Sequence, residues 1–186
     1  RALMEVNGID KGKLSAYHIG FVMGPCLNAT GRLDTAVRAL QLLEEEDRAE
    51  AVRIASDLKQ LNDSRKEMTD IYVKQAVRSV EENGLMQDRV LVIYLPDCHE
   101  SLAGIIAGRI REKYYKPVFV LTRGEEGVKG SGRSIEAYHM YEEMTRVRHL
   151  FTKYGGHKMA AGLSLEEKDV EDFRREINEV CTLTES

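Results

Sequence analysis

Tryptophan is absent from these 186 residues, and eight tyrosines and four phenylalanines are all the large aromatic side chains the chain has. A surface that stacks one aromatic under each base of a polymer is therefore not indicated. Cysteine is scarcer still. Cys26, Cys98 and Cys181 stand far apart with no CxxC spacing, which excludes a disulfide framework and reads as reduced thiols in a cytosolic protein. No apolar run reaches membrane-spanning length and no signal peptide stands out, so the expectation is a cytoplasmic protein with no membrane partner. Neither sign of charge dominates: 27 Lys and Arg face 31 Asp and Glu, a net charge of −4. No global positive field attracts a polyanion, and an anion site must be local and carried by motifs. The chain opens on Arg1-Ala2-Leu3 without an initiator methionine, which suggests a piece of a longer protein.

What is present is ordinary for a globular protein, with 42% hydrophobic and 31% charged residues. The length suffices for one domain, or for one compact domain with a sizeable appendage. Turn signals fall at Asn7-Gly8, Gly24-Pro25 and Thr30-Gly31. From Asp34, suited to an N-cap, Val37, Leu40 and Leu43 recur at helical steps. A second helical pattern runs from about Asp47 to Glu82 without proline or glycine. At ~1.5 Å per residue it reaches roughly 50 Å, long for a core helix in so small a chain, and it reads as a connector between two bodies. Asn83-Gly84 is placed to end it.

The grammar then changes. Residues 89–95 form an unbroken β-branched and aliphatic run, the mark of a strand buried on both faces. A helix over 102–115 and a strand over 117–121 follow, a spacing that predicts a parallel pair with a crossover. Strands are expected over 128–133 and 161–165, a helix within 135–154, and a closing amphipathic helix over 166–180, so residues 86–182 read as a compact α/β domain. No internal repeat or low-complexity segment is found.

Two glycine-rich tracts stand about twenty residues apart: Lys129-Gly130-Ser131-Gly132-Arg133-Ser134 and Tyr154-Gly155-Gly156-His157-Lys158-Met159-Ala160-Ala161-Gly162. Glycine lets main-chain N–H groups approach a phosphate with no Cβ in the way, and arginine adds a planar two-pronged donor. An isolated GSGRS is equally well a strand ending in a flexible turn with a solvated arginine. A lone histidine after two glycines is more often structural, yet His157 lies in a polar turn where imidazole can donate to phosphate or do acid–base work. A third tract, Ile19 to Leu33, reads blandly as a loop entering a helix and functionally as Asn28 and Arg32 facing a cleft. A fourth, Cys98-His99-Glu100-Ser101, follows the first strand, at the carboxyl end where open α/β sheets place ligands. Cys98 and His99 are adjacent, a poor arrangement for a thiol nucleophile and its base. No Asp-x-Asp, Asp-His-His or His-x-Glu occurs, and no second ligand stands near His157 to make a metal site.

Taken together, the segments IGFVMGPCLNATGRL, CHESLAGIIAGRI, KGSGRSI and YGGHKMAAGLSL resemble, in order and spacing, the bacterial RecJ family of the DHH phosphoesterase superfamily. The resemblance covers residues 17–182. It implies an α/β fold in which a compact mixed or parallel-sheet DHH-associated domain (86–182) follows a long connector helix (46–85) and the helical tail of a DHH catalytic domain (1–45). It also implies a parent enzyme, a 5′-to-3′ exonuclease on single-stranded DNA in DNA repair and recombination, using Mn²⁺ or Mg²⁺ held by motifs this chain does not contain. Two such metals would activate water and stabilise the leaving oxygen. The implied contacts to the strand are Asn28, Arg32, His99, Ser131, Arg133, Ser134, Gly155, Gly156 and His157, with His157 as a phosphate donor or an acid–base group. No metal ligand and no other catalytic residue is expected here. Single-strand-binding or recombination proteins are further implied partners. Where the family commonly has tryptophan before the histidine, this chain has Cys98. Alternatives are an oligoribonucleotide or cyclic-dinucleotide phosphodiesterase of the same superfamily, or a non-catalytic nucleic-acid-binding module akin to the accessory domain of alanyl-tRNA synthetases.

Overall fold

The computed structural model describes residues 1–33 and 36–183, with the side chains of 30–33 outside that description. Contacts divide the chain into two compact units, Arg1–Met68 and Thr69–Ser186.

The first unit is helical. α1 (Ala2–Val6) ends at Asn7, and Gly8 takes the left-handed φ of +66° that the Asn7-Gly8 signal demands. A π-helical stretch, His18–Met23, runs directly into α2 (Gly24–Leu33). The turns expected at Gly24-Pro25 and Thr30-Gly31 do not occur; both pairs lie within α2. The reason is local. Pro25 has no N–H to give and its ring presses on the carbonyl four residues back, and the widened π turn just upstream, where the Gly24 N–H donates to the Ile19 carbonyl, accommodates it. α3 (Val37–Glu44) begins after Ala36; the proposed N-cap Asp34 lies outside the described residues. Its Val37, Leu40 and Leu43 stripe is exposed, and Leu42 is the residue that packs inward. α4 (Arg48–Glu82) starts where Asp47 accepts from the Glu50 N–H at 2.8 Å. It ends before Gly84 at φ +72°. Leu3, Cys26, Ile54, Ala55 and Leu58 form the core of this unit.

The second unit contains the last turns of α4, whose Ala76 and Val80 are fully buried. Tyr72 of α4 donates to the Asp97 carbonyl at 2.6 Å, and Glu81 accepts from Tyr114 at 3.0 Å. The elements that follow are β1 (Leu91–Tyr94), α5 (Glu100–Tyr114), β2 (Val118–Gly124), β3 (Gly127–Arg133), α6 (Met140–Arg146), β4 (Phe151–Gly156), β5 (Ala160–Leu165) and α7 (Val170–Glu179). The five strands form one mixed sheet ordered β1-β2-β3-β5-β4. β1 and β2 are parallel, as expected for strands joined by a helix, and the other three pairings are antiparallel. β4 is the strand that pattern reading missed. Its sequence FTKYGG has no buried position and ends in two glycines, so no apolar alternation marks it, although Phe151, Thr152 and Tyr154 favour strands. Gly155 and Gly156, read as a loop, are the last two residues of this edge strand.

Side chains alternate across the sheet. On one face Phe119, Leu121, Val128, Leu163 and Leu165 pack with Met140, Met144, Phe173 and Ile177 of α6 and α7. The other face meets α5, which buries Leu102, Ile106 and Ile110 and contacts β2 and β3. α5 stops short of β5 and β4, and that uncovered area holds the motifs.

Candidate nucleic-acid-binding face

The two tracts meet because β3 pairs with β5. Arg133 is opposite Ala160, Ser131 opposite Gly162, and Gly162 opposite Gly155 of β4. The register thus lays Ser131, Gly162 and Gly155 side by side across three strands, with Arg133 and the turn after Gly156 at one end. A Cβ on Gly155 would meet nothing within 4 Å, and one on Gly162 only the Gly130 carbonyl at 3.9 Å. At these two glycines the floor is bare backbone, open to close approach by a ligand.

The glycines of the GSGR tract do something else. A Cβ on Gly130 would lie 2.4 Å from Leu121 Cδ2, and one on Gly132 2.4 Å from Met140 Sδ and 2.7 Å from Phe119 Cε1. These two are glycine because the core behind the sheet leaves no room, which corrects the expectation that they open the way to phosphate.

Arg133 is half-buried and donates to its neighbour's carbonyl, Gly132 O, at 2.7 Å. Its guanidinium lies against α5 at Gly104, where a Cβ would sit 2.7 Å from Nη2. Gly104 was not singled out from the sequence. The available signal was a glycine inside a helix, a position that costs about 1 kcal/mol relative to alanine and calls for a packing reason.

Ser134 is fully buried. Its Oγ donates to the Tyr138 carbonyl at 2.7 Å and its N–H to Met159 O at 2.9 Å. In this conformation its hydroxyl shapes the turn behind Arg133 and is not presented to a ligand. His157 is exposed; its N–H donates to Ala160 O at 2.9 Å, and its Nδ1 accepts from the Met159 N–H at 3.3 Å. In the neutral ring this leaves Nε2 as the outward donor. Gly156, at φ +155°, must be glycine, since a Cβ there would lie 2.5 Å from Ala160 O.

His99 caps α5, its Nδ1 accepting from the Ser101 N–H at 3.3 Å. Next to it Cys98 is buried, and burial pushes its thiol up to about 11, which removes it as a nucleophile near neutral pH. Asn28 is exposed on α2 in the first unit; the side chain of Arg32 lies outside the described residues. All three cysteines are free and buried. Among the described residues no group of three or more His, Cys, Asp or Glu is placed to hold a metal ion. None of the described helices is long and apolar enough to cross a membrane.

A mixed sheet with one parallel edge pair, a crossover helix on one face and a glycine-floored remainder defines an α/β domain with an open binding face. The chain belongs to the DHHA1 domain family, whose model matches residues 87–183. Over its whole length it is 36% identical to the single-stranded-DNA-specific exonuclease RecJ of Bacillus subtilis (strain 168), of which it covers 24%. It is 38% identical to the RecJ of Escherichia coli (strain K12), with 98% of this chain and 33% of that protein covered. Among solved structures, RecJ from Thermus thermophilus in complex with Mg²⁺ superposes with a TM-score of 0.82 at 29% identity, covering 95% of this chain and 27% of that one. An exonuclease RecJ bound to manganese gives 0.86 at 29% identity, covering 99% and 45%. The RecJ resemblance of the four motifs is borne out. The chain spans about a quarter to a third of the curated relatives it matches.

Proposed function

We propose that this chain is the strand-positioning part of a RecJ-type exonuclease that degrades single-stranded DNA from the 5′ end. The observation that carries the reading is the bare floor of Ser131, Gly162 and Gly155 with Arg133 at one end and His157 in the turn beyond. A fixed guanidinium beside exposed backbone suits a phosphodiester, which needs a planar donor and close approach and presents no base edge to read. Arg133 holds a phosphate; His157 donates to it from Nε2; Ser131 and Gly155 let the strand lie against the sheet, and Gly156 shapes the turn that carries His157; His99 stands at the neighbouring start of α5. Ser134 serves by fixing the Arg133 turn. Asn28 and Arg32, in the first unit, are further contacts to the strand. Relatives named for single-stranded-DNA specificity favour DNA over short RNAs or cyclic dinucleotides as substrate. The DHHA1 domain (86–182), the connector helix (46–85) and the catalytic-domain tail (1–45) are the corresponding parts of the chain.

Chemistry in this reading belongs to a metal-binding domain of the longer enzyme, with Mn²⁺ or Mg²⁺ as its ions. This chain's contribution is orientation, which is worth several kcal/mol of barrier when reacting groups are held in line. In an enzyme containing this chain, Arg133→Ala and His157→Ala should each lower kcat/KM on single-stranded DNA by roughly 10-fold or more, the cost of a charge-assisted hydrogen bond of about 1.5–3 kcal/mol. Normal turnover in both variants would overturn the assignment. The purified chain alone should leave a 5′-labelled oligonucleotide intact in Mn²⁺, and robust digestion would be as damaging.

A further inference from the structure

The uncovered face continues past the glycine floor into a cleft of about 380 Å³ bounded by the first turn of α5. Along β3, residues on this face are two apart, about 7 Å per step at ~3.3–3.4 Å per residue. Arg133 and Ala160 make the first rung and Ser131, Gly162 and Gly155 the second. The third rung is Lys129, Ser164 and Lys153, with Ser164 the register partner of both lysines. These three and Ser131 all line the cleft.

Two lysines flank one serine across three adjacent strands. Lys129 is neutralised by Glu100, whose carboxylate lies 2.7 Å from its Nζ. The Lys153 side chain is exposed, and among the described residues its ammonium has no ion pair or hydrogen bond and neither hydroxyl, of Ser131 or of Ser164, has a hydrogen-bond partner. A cation and two unpartnered hydroxyls thus converge on a concave surface in line with Arg133. The third rung lies about 13 Å from the first, the length of about four stacked nucleotides at ~3.4 Å each and fewer when the strand is extended.

We infer that Lys129, Ser164 and Lys153 form a second phosphate subsite, which grips the backbone of the same single strand a few nucleotides from the phosphate at Arg133. This rests on the single-strand reading proposed above. Glu100 acts as a stand-in anion: Lys129 exchanges its carboxylate for the incoming phosphate, so Glu100 sets a threshold that only a strand long enough to reach the third rung overcomes. Ser164 and Ser131 donate to phosphate oxygens, and Lys153 supplies charge without having to give up a partner.

The test is an NMR titration of the whole chain with a thymidine hexanucleotide and a thymidine dinucleotide, a method that reads millimolar affinities and reports the fold of each variant in the same spectrum. Lys153→Gln should weaken the hexanucleotide about three- to tenfold and make the slope of log K against log salt shallower by about 0.7, one phosphate contact on a single strand. Glu100→Gln should act in the opposite direction, tightening the hexanucleotide about two- to threefold by releasing Lys129. Neither should change dinucleotide binding, whereas Arg133→Ala should weaken both ligands. If Lys153→Gln and Glu100→Gln leave hexanucleotide affinity and slope unchanged while Arg133→Ala weakens it, the second subsite is wrong and the underlying reading stands. Equal loss on both ligands from Lys153→Gln would reduce it to general electrostatics and also overturn it. Failure of the unaltered chain to bind either ligand would sink both readings.

Discussion

Cys98 occupies a position whose chemistry is decided by surroundings and not by residue type. Beside a histidine and at the carboxyl end of a strand it invites a nucleophilic reading, which the adjacency of the two side chains already argues against. Burial also raises its thiol to about 11, because the thiolate would lose its hydration. In the folded chain Cys98 should therefore react slowly with a thiol-specific disulfide reagent at pH 7 and faster as pH climbs toward 11. Rapid reaction at neutral pH without unfolding would contradict the structure. The linkage has a definite sign. The folded thiol holds its proton more tightly than the unfolded one, near 9, so its stabilising contribution is complete below about pH 9 and is lost as pH rises toward 11. His157 shows the same dependence on context from the other side. One hydrogen bond from the Met159 N–H fixes its Nδ1 as acceptor and turns Nε2 outward.

At the scale of elements, β3 and β4 divide between them two jobs that glycine can do. Gly132 is glycine for the sake of Phe119 and Met140 behind the sheet; Gly155 is glycine with open space in front of it. Gly132→Ala should cost about 1–3 kcal/mol by overpacking, read as a lowered urea midpoint. Gly155→Ala should leave the midpoint unchanged or slightly raised yet weaken oligonucleotide binding. Identical effects from the two substitutions would dissolve the distinction. Pattern reading identified both tracts as glycine-rich but assigned them one role, because which face a glycine serves depends on strand parity and partner register. β4 was missed for a related reason. An edge strand with two terminal glycines has no apolar alternation to display, and it is recognisable only once β5 is in place to pair with it. The turns expected at Gly24-Pro25 and Thr30-Gly31 failed differently, because a π-helical stretch lets a proline sit inside a continuous helical segment.

For the molecule as a whole, α4 is where organisation is decided. The family model matches residues 87–183, yet the second compact unit begins at Thr69. Ala76 and Val80 are fully buried in it, and Tyr72 and Glu81 are hydrogen-bonded to Asp97 and Tyr114. A piece starting at residue 69 should accordingly be more stable than one starting at residue 87, by at least about 2 kcal/mol for the valine burial and the hydrogen bonds lost. Equal urea midpoints for the two would show that the helix contributes nothing to the unit.

Local chemistry determined most of the elements: the unbroken apolar run of β1, the proline- and glycine-free length of α4, the parallel pair across α5, and the family to which four ordered motifs belong. Those properties depend on residues near one another in the chain, and they were legible there. Tertiary structure alone decided that Ser131, Gly162 and Gly155 share one floor, that Arg133 rests on Gly104, that Ser134 is buried, and that Lys129 and Lys153 flank Ser164. These facts come from the register between strands that are about 30 residues apart and from the limited reach of one helix across a five-stranded sheet, and no local pattern encodes either.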